Sequence, residues 1–182
     1  MRYRKTVILK NGKNCLLREA DTADGAEMSA LFLRTHAETE FLLTLPEESS
    51  MTPEQESEFL HQAAESAEEL ELAAFVDGRM VGSAGIDCPG HRMKQRHRAE
   101  FGISVLKAYW GLGIGRALTE AAVACAKQAG YTQLELQAVA ENEKALALYE
   151  SVGFREFGRN PRGFRMPDGR YQTLVLMRLE LQ

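Results

Sequence analysis

Three glycines alternate with apolar residues in a short stretch that Arg116 follows. The stretch consists of Gly111, Leu112, Gly113, Ile114 and Gly115. Glycines at this spacing let the backbone approach a ligand closely and turn several amide groups in one direction. A helix that begins directly after them adds unpaired N–H groups and the positive end of its dipole. The stretch therefore predicts a phosphate or pyrophosphate site, to which Arg116 can add a positive charge.

Two common phosphate-binding patterns do not fit this stretch. A dinucleotide fingerprint needs a glycine where the two possible starting points place Arg116 and Leu118. A P-loop needs Gly-Lys followed by Ser or Thr, which occurs nowhere in the chain. Coenzyme A is the remaining common ligand of a strand–glycine turn–helix unit. A simple tight turn is the structural alternative, although three glycines in five positions exceed what such a turn needs.

Two stretches resemble motifs of the GNAT superfamily of acetyl-CoA-dependent N-acetyltransferases. Residues 105–118 (VLKAYWGLGIGRAL) resemble its acetyl-CoA motif, with Gly113 and Gly115 at the small positions. Trp110 stands where the family has Arg or Gln, which removes one side chain that could hold the phosphates. Residues 142–154 (NEKALALYESVGF) resemble its later motif nearly position for position. Both motifs occur in order, and together they cover roughly residues 100–154.

The resemblance implies roles for individual residues. Cofactor contacts are expected at Ile103, Val105, Trp110, the glycine turn with Arg116, Asn142, Ala145 and Tyr149. Tyr149 would be the general acid that protonates the departing CoA thiolate, since a phenol keeps its proton at neutral pH. Backbone N–H groups near Val105 would stabilise the oxyanion. Glu100 is the candidate general base, with a rim carboxylate as the alternative. Asn142 can equally be a helix cap, and Tyr149 a packed aromatic residue.

The elements that must position these residues alternate in a regular order. Turn pairs such as Asn11-Gly12 and Asp77-Gly78 predict hairpins between strands. The predicted strands are 5–10, 13–19, 70–76, 80–86, 99–106, 133–139, 154–165 and 170–179. The predicted helices are 22–37, one that starts at Thr52-Pro53, 116–129 and 142–152. We expect one domain, 1–182, of the α/β class: a mixed, mostly antiparallel central sheet of about seven strands with helices on both faces.

Composition narrows the classes of function. A net charge of −4 argues against a general nucleic-acid role, and no apolar run reaches the length of a membrane span. The start of the chain lacks a signal-peptide core. Cys15, Cys88 and Cys125 have unrelated spacings, so free thiols in a reducing, cytoplasmic compartment are expected. The four histidines have no metal-ligand spacing, and no metal is expected.

The amine acceptor is less clearly encoded. Residues 35–78 hold twelve acids and no Lys or Arg. These acids are either a solvated helix face or a wall that attracts a cationic acceptor, in which case Glu54, Glu56 and Glu58 would bind it. A polyamine, an aminoglycoside-like compound or a lysine side chain would fit, while small amino acids or toxic amine analogues remain equally open. Gln137 stands where relatives that acetylate a ribosomal N-terminus carry Glu, which disfavours that subclass.

Several alternatives stay open at this stage. The basic segment of residues 91–98 (HRMKQRHR) is expected to be an exposed strand edge, or else a contact to CoA phosphates or an acidic acceptor. A non-catalytic CoA-binding sensor on the same fold and a nucleotide-binding module are the rival functions. The resemblance leaves both a monomer and a homodimer open.

Overall fold

The computed structural model describes residues 3–48, 51–90 and 92–181, and its centre is one eight-stranded sheet. The strands are β1 (Arg4–Ile8), β2 (Asn14–Glu19), β3 (Leu70–Val76), β4 (Arg79–Asp87), β5 (Arg98–Val105), β6 (Gln133–Val139), β7 (Arg155–Arg165) and β8 (Tyr171–Glu180). Their order is β1-β2-β3-β4-β5-β6-β8-β7, and β5 with β6 is the parallel pair. The mixed, mostly antiparallel α/β sheet is confirmed, with eight strands where about seven were expected.

Four α-helices cover the sheet, and their ends follow from local sequence. They are α1 (Gly25–Glu38), α2 (Pro53–Glu65), α3 (Ile114–Gln128) and α4 (Glu143–Val152). Thr52 and Gln55 form a reciprocal capping box at the start of α2, directly before Pro53. Gly153 ends α4 with a left-handed backbone, φ 113°.

Alternation along β3 divides the protein into two cores. Leu72 and Ala74 point to the face that α3 covers, where Leu118 and Ala122 are fully buried. Phe75 points to the other face, where it packs with Met28 of α1 and Leu60 of α2. Successive strand residues must face opposite sides of a sheet, so a strand with two apolar faces is buried between helix layers. Helices therefore lie on both faces, as expected.

The sheet opens at its parallel pair. Pairing between β5 and β6 covers Arg98–Glu100 and Gln133–Glu135 and ends there, although β5 continues to Val105 and β6 to Val139. Beyond Glu100 the two strands diverge, so backbone groups on the facing edges have no partner strand. An extended ligand can pair with such an edge as an added strand.

Three local expectations need correction. The helix expected over 22–37 begins as a 3-10 turn, Thr22–Asp24, because Asp21 and Asp24 form a capping box across it. α3 begins at Ile114 instead of 116, inside the glycine turn. The basic segment expected as a strand edge forms turns over residues 93–97, and β5 starts only at Arg98. His91 of that segment lies outside the described residues.

In the three described ranges, no helix is both long and apolar enough to cross a bilayer.

Candidate active site

A first cavity, of about 850 Å³, lies at the end of β5 against the starts of α3 and α4. We call it the glycine-turn cavity. Its lining includes most residues expected to contact a cofactor: Ile103, Val105, Trp110, Gly111, Gly113, Gly115, Arg116, Asn142, Ala145 and Tyr149. The side chain of Ile114 is instead buried in the main core, and Leu112 packs against the same core. Only the backbone of these two residues is suited to contact a ligand.

The backbone of the turn is held open for a ligand. Gly111 and Gly113 have φ values of 77° and 103°, which a side chain would strain. A Cβ at either position would meet no atom within 4 Å, so the space beside the turn is empty of protein. α3 begins within this turn, and its first backbone N–H groups have no partner within the helix. The arrangement matches an anion site at a helix N-terminus.

Cationic side chains surround the same turn. The Lys10 backbone N–H donates to the Leu112 carbonyl at 3.1 Å, which fixes the first hairpin against the turn. Lys10 also lines the cavity, and sequence reasoning missed it because the contact joins residues a hundred positions apart. Arg116 is held by a 2.7 Å hydrogen bond that it donates to Ser151 Oγ. The Trp110 indole N–H donates to the Val105 carbonyl at 2.6 Å.

A second cavity, of about 1310 Å³, lies over the opposite face of the sheet from α3, under α1 and α2. We call it the sheet-face cavity. α1 and α2 contribute Phe32, His36, Phe59 and Ala63. The strands contribute Glu71, Asp87, Glu100 and Glu135, and among the described lining residues Arg98 is the one Lys or Arg. Two hydrogen bonds join the Arg98 guanidinium to Glu135, so much of its charge is already neutralised.

The carboxylates meet because neighbouring strands are in register. Glu100 on β5 lies opposite Asp87 on β4 and beside Glu135 on β6. Burial raises the pKa of Glu100, and the charges of Asp87 and Glu135 raise it further, against a lowering by Arg98. A carboxyl group with a raised pKa is a better proton acceptor near neutral pH than an ordinary one.

Tyr149 lies at the junction of the two cavities. It lines both of them, together with Ile103, Ser104 and Asn142. Its ring makes edge contacts with Phe101 and Phe154, at centroid distances of 6.3 and 5.9 Å. Burial raises the pKa of Tyr149 to about 12, so the hydroxyl keeps its proton at neutral pH. Asn142 caps α4 as expected, since its side chain accepts from the Ala145 N–H at 3.4 Å.

His36 is fixed within the sheet-face cavity as a neutral ring. It stacks on Phe32 with centroids 3.7 Å apart, and its Nδ1 lies 2.7 Å from the Phe32 carbonyl oxygen. A carbonyl oxygen only accepts, so Nδ1 is the donor. Burial lowers the pKa of His36. This neutral ring adds no positive charge to balance the carboxylates on the sheet.

The acids on α2 are not where the sequence suggested. Glu54 and Glu58 are exposed, and neither they nor Glu56 line the sheet-face cavity. The expectation that Glu54, Glu56 and Glu58 bind the acceptor is therefore wrong, whereas Glu69 and Glu71 from the same acidic stretch do line the cavity. The other acids of the cavity, Asp87, Glu100 and Glu135, lie on strands. Sequence reasoning included Glu71 only as one of the twelve acids of residues 35–78, and it missed Asp87 and Glu135 as site residues. A glutamate at position 71 within an otherwise apolar strand was the available signal.

Cysteines and metal-binding groups add little to the site. The three cysteines are free and buried, as expected. Across the described residues, no group of three or more His, Cys, Asp or Glu side chains is arranged to hold a metal ion.

A family profile and two solved structures are similar to this chain. A sequence profile described as "Acetyltransferase (GNAT) family" matches residues 33–154. A crystal structure of a GNAT-family acetyltransferase from Streptococcus pneumoniae superposes with a TM-score of 0.87 at 31% identity, covering 91% of this chain and 99% of that one. The structure of yncA from Salmonella typhimurium, solved with acetyl-CoA, has a TM-score of 0.82 at 21% identity over 92% and 94% of the two chains, and so shows the same fold.

Curated relatives match over shorter stretches. The ribosomal protein bS18-alanine N-acetyltransferase of Escherichia coli strain K12 is 36% identical over 76 residues, which is 42% of this chain and 51% of the relative. The first curated relatives are matched over only 21% to 51% of their own length. The profile match covers more than half of this chain, and the near-complete superposition agrees with it. The chain belongs to the GNAT family of acetyltransferases.

Proposed function

We propose that this protein transfers the acetyl group of acetyl-CoA to the nitrogen of a cationic amine. The proposal rests mainly on the position of Tyr149, a buried and protonated phenol that lines both cavities. One cavity has the backbone of an anion site, and the other has a floor of carboxylates. A transfer between a phosphate-bearing donor and a positively charged acceptor needs such an arrangement around one proton donor.

The glycine-turn cavity fits acetyl-CoA by its own construction. Open backbone at Gly111 and Gly113 and the start of α3 would hold the pyrophosphate, with Lys10 and Arg116 as nearby cations. The diverging edge of β5, which includes Ile103 and Val105, would pair with the pantetheine arm. When bound, acetyl-CoA supplies a thioester carbonyl that an amine can attack. Trp110 does not replace the missing Arg or Gln, but Lys10 offers a charge from another part of the chain.

Two side chains would move the protons of the reaction. Glu100 accepts a proton from the acceptor ammonium, directly or through water, because only a neutral amine is a nucleophile. The raised pKa of Glu100 suits that role at neutral pH. Tyr149 donates its phenolic proton to the departing sulfur, and its ring contacts hold the hydroxyl in place. The second proton that the nitrogen loses as the amide forms returns through water to the Tyr149 oxygen. Proton transfer of this kind contributes about 10²–10⁴-fold to rates.

The charge of the sheet-face cavity supports a cationic acceptor. Asp87, Glu100 and Glu135 share the cavity with one arginine that is already paired. An acceptor with a carboxylate of its own would meet repulsion there, which disfavours amino acids. Gln137, also in the lining, cannot act as a base, and this disfavours acetylation of a ribosomal protein's N-terminus. Three free, buried thiols fit a reducing compartment, so a cytoplasmic, single-domain enzyme belongs to the same proposal.

Two measurements test the proposal in sequence. Titration calorimetry first measures acetyl-CoA binding, and free-thiol release from acetyl-CoA is then followed with polyamines, aminoglycosides, amino acids, and peptides with free N-termini or lysines. Release with the cationic small amines, strongly reduced in Tyr149→Phe, is the expected result. Binding without release from any amine would favour the sensor function. Absence of acetyl-CoA binding, or tighter binding of a nucleotide, would overturn the proposal.

A further inference from the structure

The floor of the sheet-face cavity contains a trough without side chains. Gly85 on β4 and Gly102 on β5 are direct partners in the sheet, and both line the cavity. A Cβ at Gly102 would meet no atom within 4 Å, so the space above it is open. Two paired glycines weaken a sheet, because they contribute no side-chain packing. In exchange for the lost packing, the glycines leave room for a ligand against the backbone.

Glu71 closes one end of the trough. It lies opposite Gly85 on the neighbouring strand, and its carboxyl group extends over that glycine. A Cβ at Gly85 would overlap the Glu71 carboxyl oxygens, so the glycine is what allows the carboxyl to lie flat there. Glu71 is only partly exposed, and it lines the same cavity as Tyr149. The carboxyl therefore points along the cavity floor and not into bulk water.

No cation in the part of the chain that the structure describes pairs with this carboxyl group. Burial raises the pKa of Glu71 to about 8, and the charges of Glu56 and Asp87 contribute in the same direction. No hydrogen bond or cation among the described residues lowers that pKa. Arg98, the one Lys or Arg among the described lining residues, is bound to Glu135. An unpartnered carboxyl group costs stability unless something outside the chain pairs with it.

We propose that Glu71 and the Gly85–Gly102 trough bind a second positively charged group of the acceptor, so that the preferred substrate carries two cationic nitrogens. This inference rests on the proposed acetyl transfer and specifies its substrate class. Glu71 is separated from Glu100 by two strand spacings and by two residues along the strand, about 12 Å between backbones. A flexible diamine of the polyamine type places one nitrogen at each carboxylate. A monoamine leaves Glu71 without a partner.

Binding of the diamine alone tests the inference without relying on turnover. Calorimetry with CoA present compares 1,5-diaminopentane with pentylamine, which has the same carbon chain and one cationic nitrogen. Wild type should bind the diamine at least tenfold more tightly than the monoamine. Glu71→Gln should abolish that difference, and so should Gly102→Val, which fills the trough and leaves Glu71 in place. Glu54→Gln removes an exposed charge from α2 and should leave the difference unchanged.

Proton release distinguishes a direct role of Glu71 from a structural one. Diamine binding should expel a proton from Glu71 near pH 7, measured as a buffer-dependent binding enthalpy, and Glu71→Gln should lower the number of protons expelled. The other titratable or charged groups near Glu71 are Glu56 on α2, His36 on α1, Glu69 before β3, Asp87 on β4, Arg98 and Glu100 on β5 and Glu135 on β6. These groups remain in the variant, so the difference between the two proteins reports Glu71.

The outcomes separate this inference from the proposed function. Equal affinity of wild type and Glu71→Gln for the diamine, or equal affinity of wild type for diamine and monoamine, would overturn the inference. Failure of wild type to bind the diamine would overturn it as well. Tight, Glu71-dependent binding without thiol release from acetyl-CoA would instead overturn the acetyl transfer and keep the diamine site.

Discussion

The two cavities that meet at Tyr149 are built in different ways. The glycine-turn cavity is formed largely by one stretch of chain, residues 103–116, and by the start of α4. The groups that we propose to hold the cofactor there are mainly backbone amides. The floor of the sheet-face cavity is assembled from side chains on β3, β4, β5 and β6, which lie far apart in sequence. Binding of a common donor can therefore be retained while side chains on the sheet adapt to an acceptor.

Tyr149 lines both cavities, and removal of its hydroxyl should have the largest effect on the rate of transfer. Tyr149→Phe keeps the packed ring and deletes the proton donor, so kcat should fall on the order of 10²–10³-fold. Acetyl-CoA affinity and thermal stability should stay close to wild type. Steady-state kinetics with calorimetry checks this. An unchanged kcat would assign Tyr149 to packing alone.

Glu71 in the sheet-face cavity should lower the free energy of unfolding by an amount that depends on pH. The pKa of Glu71 is about 8 in the folded protein against an ordinary value of 4.5. Between these pH values the folded state holds a proton that the unfolded state releases, so wild-type stability falls as pH rises. Glu71→Gln lacks this loss and should gain on the order of 5 kcal/mol over wild type from pH 4 to pH 9, at about 1.4 kcal/mol per pKa unit. Urea unfolding at several pH values measures it, and parallel curves would contradict the prediction.

Acetyl-CoA affinity of the glycine-turn cavity should be sensitive to changes in the backbone of the turn. Gly113→Ala strains a residue with φ 103° and displaces turn amides, so acetyl-CoA affinity should fall about tenfold. Gly130→Ala is the matched control, since Gly130 has φ 86° with equally open space but lies at the far end of α3. Both variants should lose similar stability, and only the first should lose affinity in calorimetry. Equal affinity of the two would remove the turn from the site.

A smaller effect should follow from the cation supplied by the first hairpin. Lys10→Met should weaken acetyl-CoA binding about threefold to fivefold at low salt, and less at high salt, because the contact is an exposed ion pair. Lys5→Met removes an equal charge from the same hairpin and should have no effect. If the two variants behave alike, Lys10 contributes only to the overall charge.

No effect is expected from the acids of α2. Glu54→Gln with Glu58→Gln should leave KM for a cationic amine within about twofold of wild type, because both side chains are exposed and outside the lining. A clear rise in KM would show that acids of α2, and not only those of the strands, bind the acceptor.

What the sequence could predict follows the same division. The glycine turn, the Asn142 cap and Tyr149 lie in contiguous motifs, so local pattern was sufficient to place them. Glu71, Asp87 and Glu135 come together only through strand register, which depends on pairing between distant segments. Lys10 meets the turn for the same nonlocal reason. The acids of α2 were prominent by their number, but Glu54 and Glu58 are exposed, and Glu56 acts on the cavity only through its charge on Glu71.

The charge selectivity of the reaction is the most direct test of a cationic acceptor. The measurement is kcat/KM for thiol release from acetyl-CoA with 1,5-diaminopentane against 6-aminohexanoate, which presents a carboxylate at the far end of a similar chain. We predict a preference of at least a hundredfold for the diamine, because the sheet-face cavity opposes negative charge and pairs with positive charge. Equal kcat/KM values, or a preference for the amino acid, would contradict the binding of a cationic acceptor in the sheet-face cavity.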